Sequence, residues 1–196
     1  MKIKNIIKSS ILVKQEILNN DSLLETIIEV SQTAVKVLLS GGKILLCGNG
    51  GSAADAQHIA AELSGRYAFN RPPLDAEALH VNTSYLTAVA NDYSFEEVYS
   101  RLIKAKGKQG DVLIAISTSG NSQNIINAIE TANNNNLITI GLTGKSGGKM
   151  KNLCKYIINV PSDDTPRIQE AHILIGHIMC EIIETSIFKN YKNQDL

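Results

Sequence analysis

Apolar and polar positions alternate in two rhythms along this chain, and the switch between them marks its elements. Residues 3 to 18 place Ile3, Ile6, Ile7, Ile11 and Leu18 near helical spacing. Asp21-Ser22 offers an N-cap for a second helix, Leu23 to Leu39, ending at Gly41-Gly42. After these two helices the pattern alternates. Short apolar runs at Lys43–Cys47, Ala76–Val81, Asp111–Ile116, Leu137–Leu142 and Tyr156–Val160 predict five strands. Between them lie helical stretches at Ala53–Gly65, Ser84–Ala90, Phe95–Lys106 and Ser122 to about Asn135, and a short turn of helix ends near Leu153. Pro166 starts a last long helix that runs to about Phe188, followed by a polar tail over 189–196. Strands that are apolar throughout, each followed by a helix, predict a parallel sheet covered on both faces: an α/β three-layer sandwich of one domain over 1–196, preceded by N-terminal helices (about 1–40). The first helix, amphipathic and without an obvious partner, is expected at a contact between subunits.

In such a sheet ligands bind beyond the carboxyl ends of the strands. Two loops there carry chemistry. Ser117-Thr118-Ser119-Gly120-Asn121-Ser122 follows an apolar run and opens a helix, so hydroxyls and free N–H groups converge on one point. That suits a phosphate monoester on a small molecule. Gly48-Asn49-Gly50-Gly51-Ser52 also leads from strand to helix. It is not a dinucleotide fingerprint, because Ala53 stands where the third glycine belongs, nor a P-loop, because no Gly-Lys-Ser/Thr follows.

Composition narrows the partners. Of 196 residues, 19 are Lys or Arg and 19 are Asp or Glu, which leaves no basic excess for nucleic acid. Three cysteines, Cys47, Cys154 and Cys180, show no CxxC spacing and read as small core side chains in a reducing compartment. Lys2, Lys4 and Lys8 before Ile11-Leu12-Val13 make a poor leader, since the apolar stretch stops at Lys14. No run is long enough to span a membrane. A cytoplasmic protein is expected.

Three further groups follow from spacing. His58 and Glu62, four apart on a helix that starts at the Gly-rich loop, share a face where they could hold a metal or move protons. Asn91-Asp92 could bond sugar hydroxyls or cap a helix. Gln169 and His177, on the last helix, stand eight residues apart, roughly 80° around the axis and about 12 Å along it. If both serve one small site, they must stretch or one must come from a neighbouring chain. His172 points away and reads as structural.

Taken together, Gly48–Ser52, His58 with Glu62, Leu63-Ser-Gly-Arg66-Tyr67, Asn91-Asp92, Ser117–Ser122 and Arg167-Ile-Gln-Glu170 through His177 resemble the phosphoheptose isomerases, enzymes of the sugar-isomerase (SIS) domain type with a flavodoxin-like fold. The serine-rich loop is common to SIS domains; the set His58, Glu62, Gln169 and His177 is more specific. The resemblance implies conversion of sedoheptulose 7-phosphate to D-glycero-D-manno-heptose 7-phosphate, the entry to activated heptoses for surface polysaccharide. It implies a homotetramer with active sites at subunit contacts, and a Zn²⁺ ion on His58, Glu62, Gln169 and His177. It assigns acid–base roles to Glu62 and His177. The phosphate falls to Ser117, Thr118, Ser119 and Ser122, and the sugar to Asn49, Gly50, Gly51, Ser52, Asn91, Asp92 and Gln169. Two alternatives compete: a non-catalytic SIS protein that associates with a replication initiator, which would lack a histidine at position 177, and an isomerase of another phosphosugar, which usually carries additional domains.

Overall fold

The computed structural model describes residues 2–190, so the expected tail beyond Asn190 lies outside the described residues. Helices α1 (Lys2–Leu18) and α2 (Asp21–Leu39) come first. The α2 cap is Asn20, one residue earlier than expected: its side chain accepts the N–H of Leu23 at 3.1 Å, which leaves Asp21 in the first turn beside the positive end of the helix.

Five strands follow: β1 (Ile44–Gly48), β2 (Ala76–Ala78), β3 (Val112–Ile116), β4 (Ile138–Thr143) and β5 (Tyr156–Asn159). All pair in parallel, in the order β2-β1-β3-β4-β5. Between them run α3 (Gly51–Ser64), α4 (Thr83–Asp92), α5 (Val98–Lys106, entered through a 3-10 turn at Phe95–Glu97) and α6 (Gln123–Asn134). A 3-10 turn at Lys149–Asn152 precedes β5, and α7 (Thr165–Ile187) closes the fold. The expected three-layer α/β architecture is present. β2 is shorter than its apolar run, because it lies at the edge and pairs with β1 alone; past Leu79, whose N–H bonds Leu46 O, the chain turns and Val81 is exposed.

Side chains that alternate along each strand feed two cores. Ile44, Leu46, Val112, Ile114 and Ile116 face α1, α2, α3 and α7. Leu45, Cys47, Leu113 and Ala115 face α5 and α6. Every residue of β1 and β3 is buried, which is why both read as unbroken apolar runs.

Strand order reverses at β1. The chain steps from β1 outward to β2, then crosses back to β3 on the other side. The crevice between the carboxyl ends of β1 and β3 is therefore the switch point at which this topology places its ligand. Gly48–Ser52 and Ser117–Ser122 leave the sheet there.

His172 lies on α7 and is fully buried, its Nε2 3.2 Å from Thr143 O. Burial pushes its pKa down to about 4, against the weaker opposing effect of that hydrogen bond. An unfolded histidine titrates near 6.5, so as pH falls the unfolded chain takes up the proton first, and stability present above pH ~6.5 is lost towards pH 4. Unfolding titrations from pH 7 to 4 should show the wild-type chain losing about 3 kcal/mol more than His172→Gln. Parallel pH profiles would exclude this linkage.

Candidate active site

The Gly-rich loop delivers α3 without a side-chain cap; in the first turn the N–H groups of Ser52 and Ala53 bond Asn49 O and Gly50 O. Asn49 does not reach for a ligand with its side chain. Its amide makes a reciprocal pair with Asn124 on α6, at 2.8 and 2.9 Å, and ties the two loops together. Tyr99 adds a second tie, its hydroxyl donating to Gly48 O. Ser52 is buried in the first turn of α3.

On the facing loop the Ser117 and Ser122 hydroxyls stand 3.2 Å apart. Ser119 Oγ accepts the N–H of Asn121, and Asn121 Oδ1 accepts that of Lys149. Ser122 caps α6 with no side-chain bond, which leaves its first N–H groups unsatisfied by the cap. Beside this turn a cavity of about 270 Å³ is lined by Thr118, Ser119, Lys145, Ser146, Ser162 and Thr165, among others. A smaller cleft of about 150 Å³ borders the Gly-rich loop, with Asn49, His80, Leu86 and Phe95 in its wall. Asn91 and Asp92 lie within the last turn of α4, not after it; they are exposed and bonded to each other at 2.9 Å.

A second centre lies along α3 and α7. These helices both start at the carboxyl edge of the sheet and therefore run parallel. Gln169 packs its amide against Gly51 so closely that a Cβ there would stand 2.4 Å from Nε2. Two turns on, a Cβ at Gly176 would stand 2.5 Å from the Ile59 side chain. At that second level His58, Glu62 and His177 converge, with ligand atoms within 4.8 Å of one another. His58 Nε2 is 3.0 Å from Glu62 Oε1, and the His58 and His177 rings meet edge-on at 5.0 Å. Tyr67 packs its ring 5.9 Å from that of His177.

Three of the four expected ligands converge within one chain, and Gln169 stands beside Gly51. Gln169 meets α3 at residue 51 and His177 meets it near residue 58, about 10 Å further along the helix. Parallel helices keep the eight-residue separation instead of closing it. The three donors that do converge fit Zn²⁺: two imidazoles and one carboxylate are a familiar catalytic set, and tetrahedral ligands lie ~3.4 Å apart, so small side-chain rotations bring in the group.

Asp55, Arg71 and Glu184 carry no sequence signal. Asp55, one turn before His58, has its carboxyl pushed up to about 6 by burial, against the opposing pull of His58. Arg71 and Glu184 form a buried ion pair beneath the His58, Glu62 and His177 cluster. Arg167 and Glu170, part of the motif read from sequence, bond each other, and Arg167 also donates to Ile6 O and Ser9 Oγ, so this stretch docks α1.

Residues 8–144 match the SIS domain family model. The chain is 55% identical to the phosphoheptose isomerase of Aneurinibacillus thermoaerophilus over 188 residues, covering 96% of this chain and 95% of that protein. The chain belongs to the phosphoheptose isomerase family of SIS-domain proteins. Phosphoheptose isomerase 2 of Campylobacter jejuni is 53% identical, over 95% of this chain and 92% of its own. Among solved structures, the phosphoheptose isomerase of Francisella tularensis superposes with a TM-score of 0.90 at 40% identity, covering 94% of this chain and 97% of that one. The Neisseria gonorrhoeae member of the family gives 0.88 at 44%, with the same coverage.

Close approach of α3 and α7 at Gly176 should be intolerant of added volume. Gly176→Ala, which must displace a buried Ile59, is expected to cost about 1–3 kcal/mol of stability in urea unfolding. An unchanged midpoint would show that the helices can part freely.

Proposed function

We infer that this chain is a phosphoheptose isomerase, converting sedoheptulose 7-phosphate to D-glycero-D-manno-heptose 7-phosphate at the start of activated-heptose synthesis. The observation that carries the reading is the convergence of Glu62 and His177, in a chain 55% identical to a phosphoheptose isomerase along nearly its whole length.

The reaction moves a carbonyl from C2 to C1. Glu62 takes a proton from C1 and an enediol forms; His177, on the other side of the reacting carbons, returns a proton at C2, and the hydroxyl proton passes from O1 to O2. Ser117, Thr118, Ser119 and Ser122 hold the phosphate, with the N–H groups opening α6 behind them. Ser52 and the backbone of Asn49, Gly50 and Gly51 face the sugar, with Asn91, Asp92 and Gln169 supplying hydrogen bonds. Gln169 serves this end of the site on the strength of its contact with Gly51. His58, Glu62 and His177, with Gln169 contributed by a neighbouring chain, would hold Zn²⁺; the ion would polarise a carbonyl oxygen or order the site, and while bound to it the Glu62 carboxylate is a weaker base.

The reading extends to a cytoplasmic homotetramer with sites completed between subunits. Its support is the apolar stripe of α1, where Ile3, Ile7, Ile11 and Leu18 are exposed in the protomer, with Ile3 at 73%. No described helix is long and apolar enough to cross a membrane.

A coupled assay with sedoheptulose 7-phosphate, run with and without chelator, tests both parts. Turnover is expected from the purified chain and should fall after metal removal. Glu62→Gln and His177→Gln should each cut kcat at least ~100-fold while substrate still binds, because a positioned acid or base contributes about that much. Near-normal turnover in either variant would overturn the role assignment.

A further inference from the structure

Beneath the His58, Glu62 and His177 cluster lies the buried ion pair of Arg71 and Glu184, with side chains 0% and 1% exposed and Nε to Oε1 at 3.0 Å. The two residues are 113 positions apart, and each does more than neutralise the other. Arg71 Nη2 donates to the backbone oxygen of Glu62 at 2.8 Å. Its Nη1 donates to Leu63 O, Gly65 O and Pro72 O at 2.7 to 3.0 Å. One guanidinium therefore satisfies the carbonyls that the end of α3 leaves without helical partners. Glu184 accepts the N–H groups of Tyr67 and Ala68 at 2.9 and 2.8 Å. Tyr67 in turn rests its ring against His177.

The pair thus has two arms. One runs from Arg71 to the backbone of Glu62; the other runs from Glu184 through Tyr67 to the imidazole of His177. Glu184 also sits on α7, seven residues after His177 and so on nearly the same face. We propose that Arg71 and Glu184 are positioning residues for the isomerisation: their ion pair fixes the carboxylate of Glu62 and the imidazole of His177 at the spacing that proton transfer requires. This rests on the isomerase reading above. A pair retained only for stability would need no such connections, since a buried pair of charges gains little over apolar side chains of the same volume. A shift of an ångström at a reacting group costs far more in rate than in folding.

The test uses the full chain in four forms: Arg71→Lys, which keeps the charge and loses the fork; Glu184→Gln; the double variant Arg71→Met with Glu184→Leu, which replaces the pair by apolar side chains; and Tyr67→Ala, which leaves the pair intact. Circular dichroism and melting curves establish folding, and kinetics are read well below each melting point. The folded pair variants should keep KM for sedoheptulose 7-phosphate within about threefold and lose about 10- to 100-fold in kcat, the range found when groups that orient a site are removed. Tyr67→Ala should reproduce part of that loss. The visible spectrum of Co²⁺ added alone should change in the pair variants, reporting altered geometry without turnover. A folded double variant with wild-type kcat and an unchanged Co²⁺ spectrum, altered only in melting temperature, would overturn the proposal. Lack of turnover by the wild-type chain would count against the isomerase reading instead, and the Co²⁺ comparison would still decide this one.

Discussion

The whole site depends on α3 and α7 lying side by side in the same direction. Both helices leave the carboxyl edge of a parallel sheet, so neither can run the other way. They touch at Gly51, where the Gln169 amide closes in, and again at Gly176, where a Cβ would run into the buried Ile59. Between and around those contacts the residues at matching levels meet: Gln169 with the start of α3, and His177 with His58 and Glu62. The proposed proton transfer needs a carboxylate and an imidazole at a fixed separation. Two rigid rods in register supply it with less freedom than a loop would allow.

Much of this was legible in the sequence, for identifiable reasons. Strands β1 and β3 announce themselves because both faces are covered, so no polar residue interrupts the run. Hydroxyl-rich and glycine-rich turns stand out because they interrupt such runs at the point where ligands bind. The pairing of His58 with Glu62 follows from helical spacing alone. Within one chain three of the four proposed ligands converge, because an eight-residue interval along a helix is a length and a parallel neighbour preserves it; the route left for Gln169 is the one the spacing offered, a contribution from a neighbouring chain. Within its own chain Gln169 lies against Gly51.

Other features could not have been read off the chain. Arg71 lies in an irregular segment between α3 and β2 and looks like any surface arginine; only the return of α7, more than a hundred residues later, buries it against Glu184. The Asn49–Asn124 amide pair joins the Gly-rich loop to α6, remote in sequence, and gives the Asn49 side chain a framework partner while its backbone stays with the loop. Lys43 and Asp111 do the same at the opposite end of the sheet. There burial opposes ionisation of Asp111, yet hydrogen bonds from Lys43 Nζ and from the N–H groups of Lys108 and Lys43 hold its carboxyl below the usual range. Polar pairs of this kind have no periodicity, so pattern reading passes over them.

The outermost strands of the sheet are short, three residues in β2 and four in β5. Neither presents enough unpaired backbone to template an additional strand from another molecule. Growth of the sheet from copy to copy is thereby disfavoured at both margins. A strand-to-strand ribbon from a second molecule thus has little to hold on to at either side of the loops that gather at the carboxyl rim.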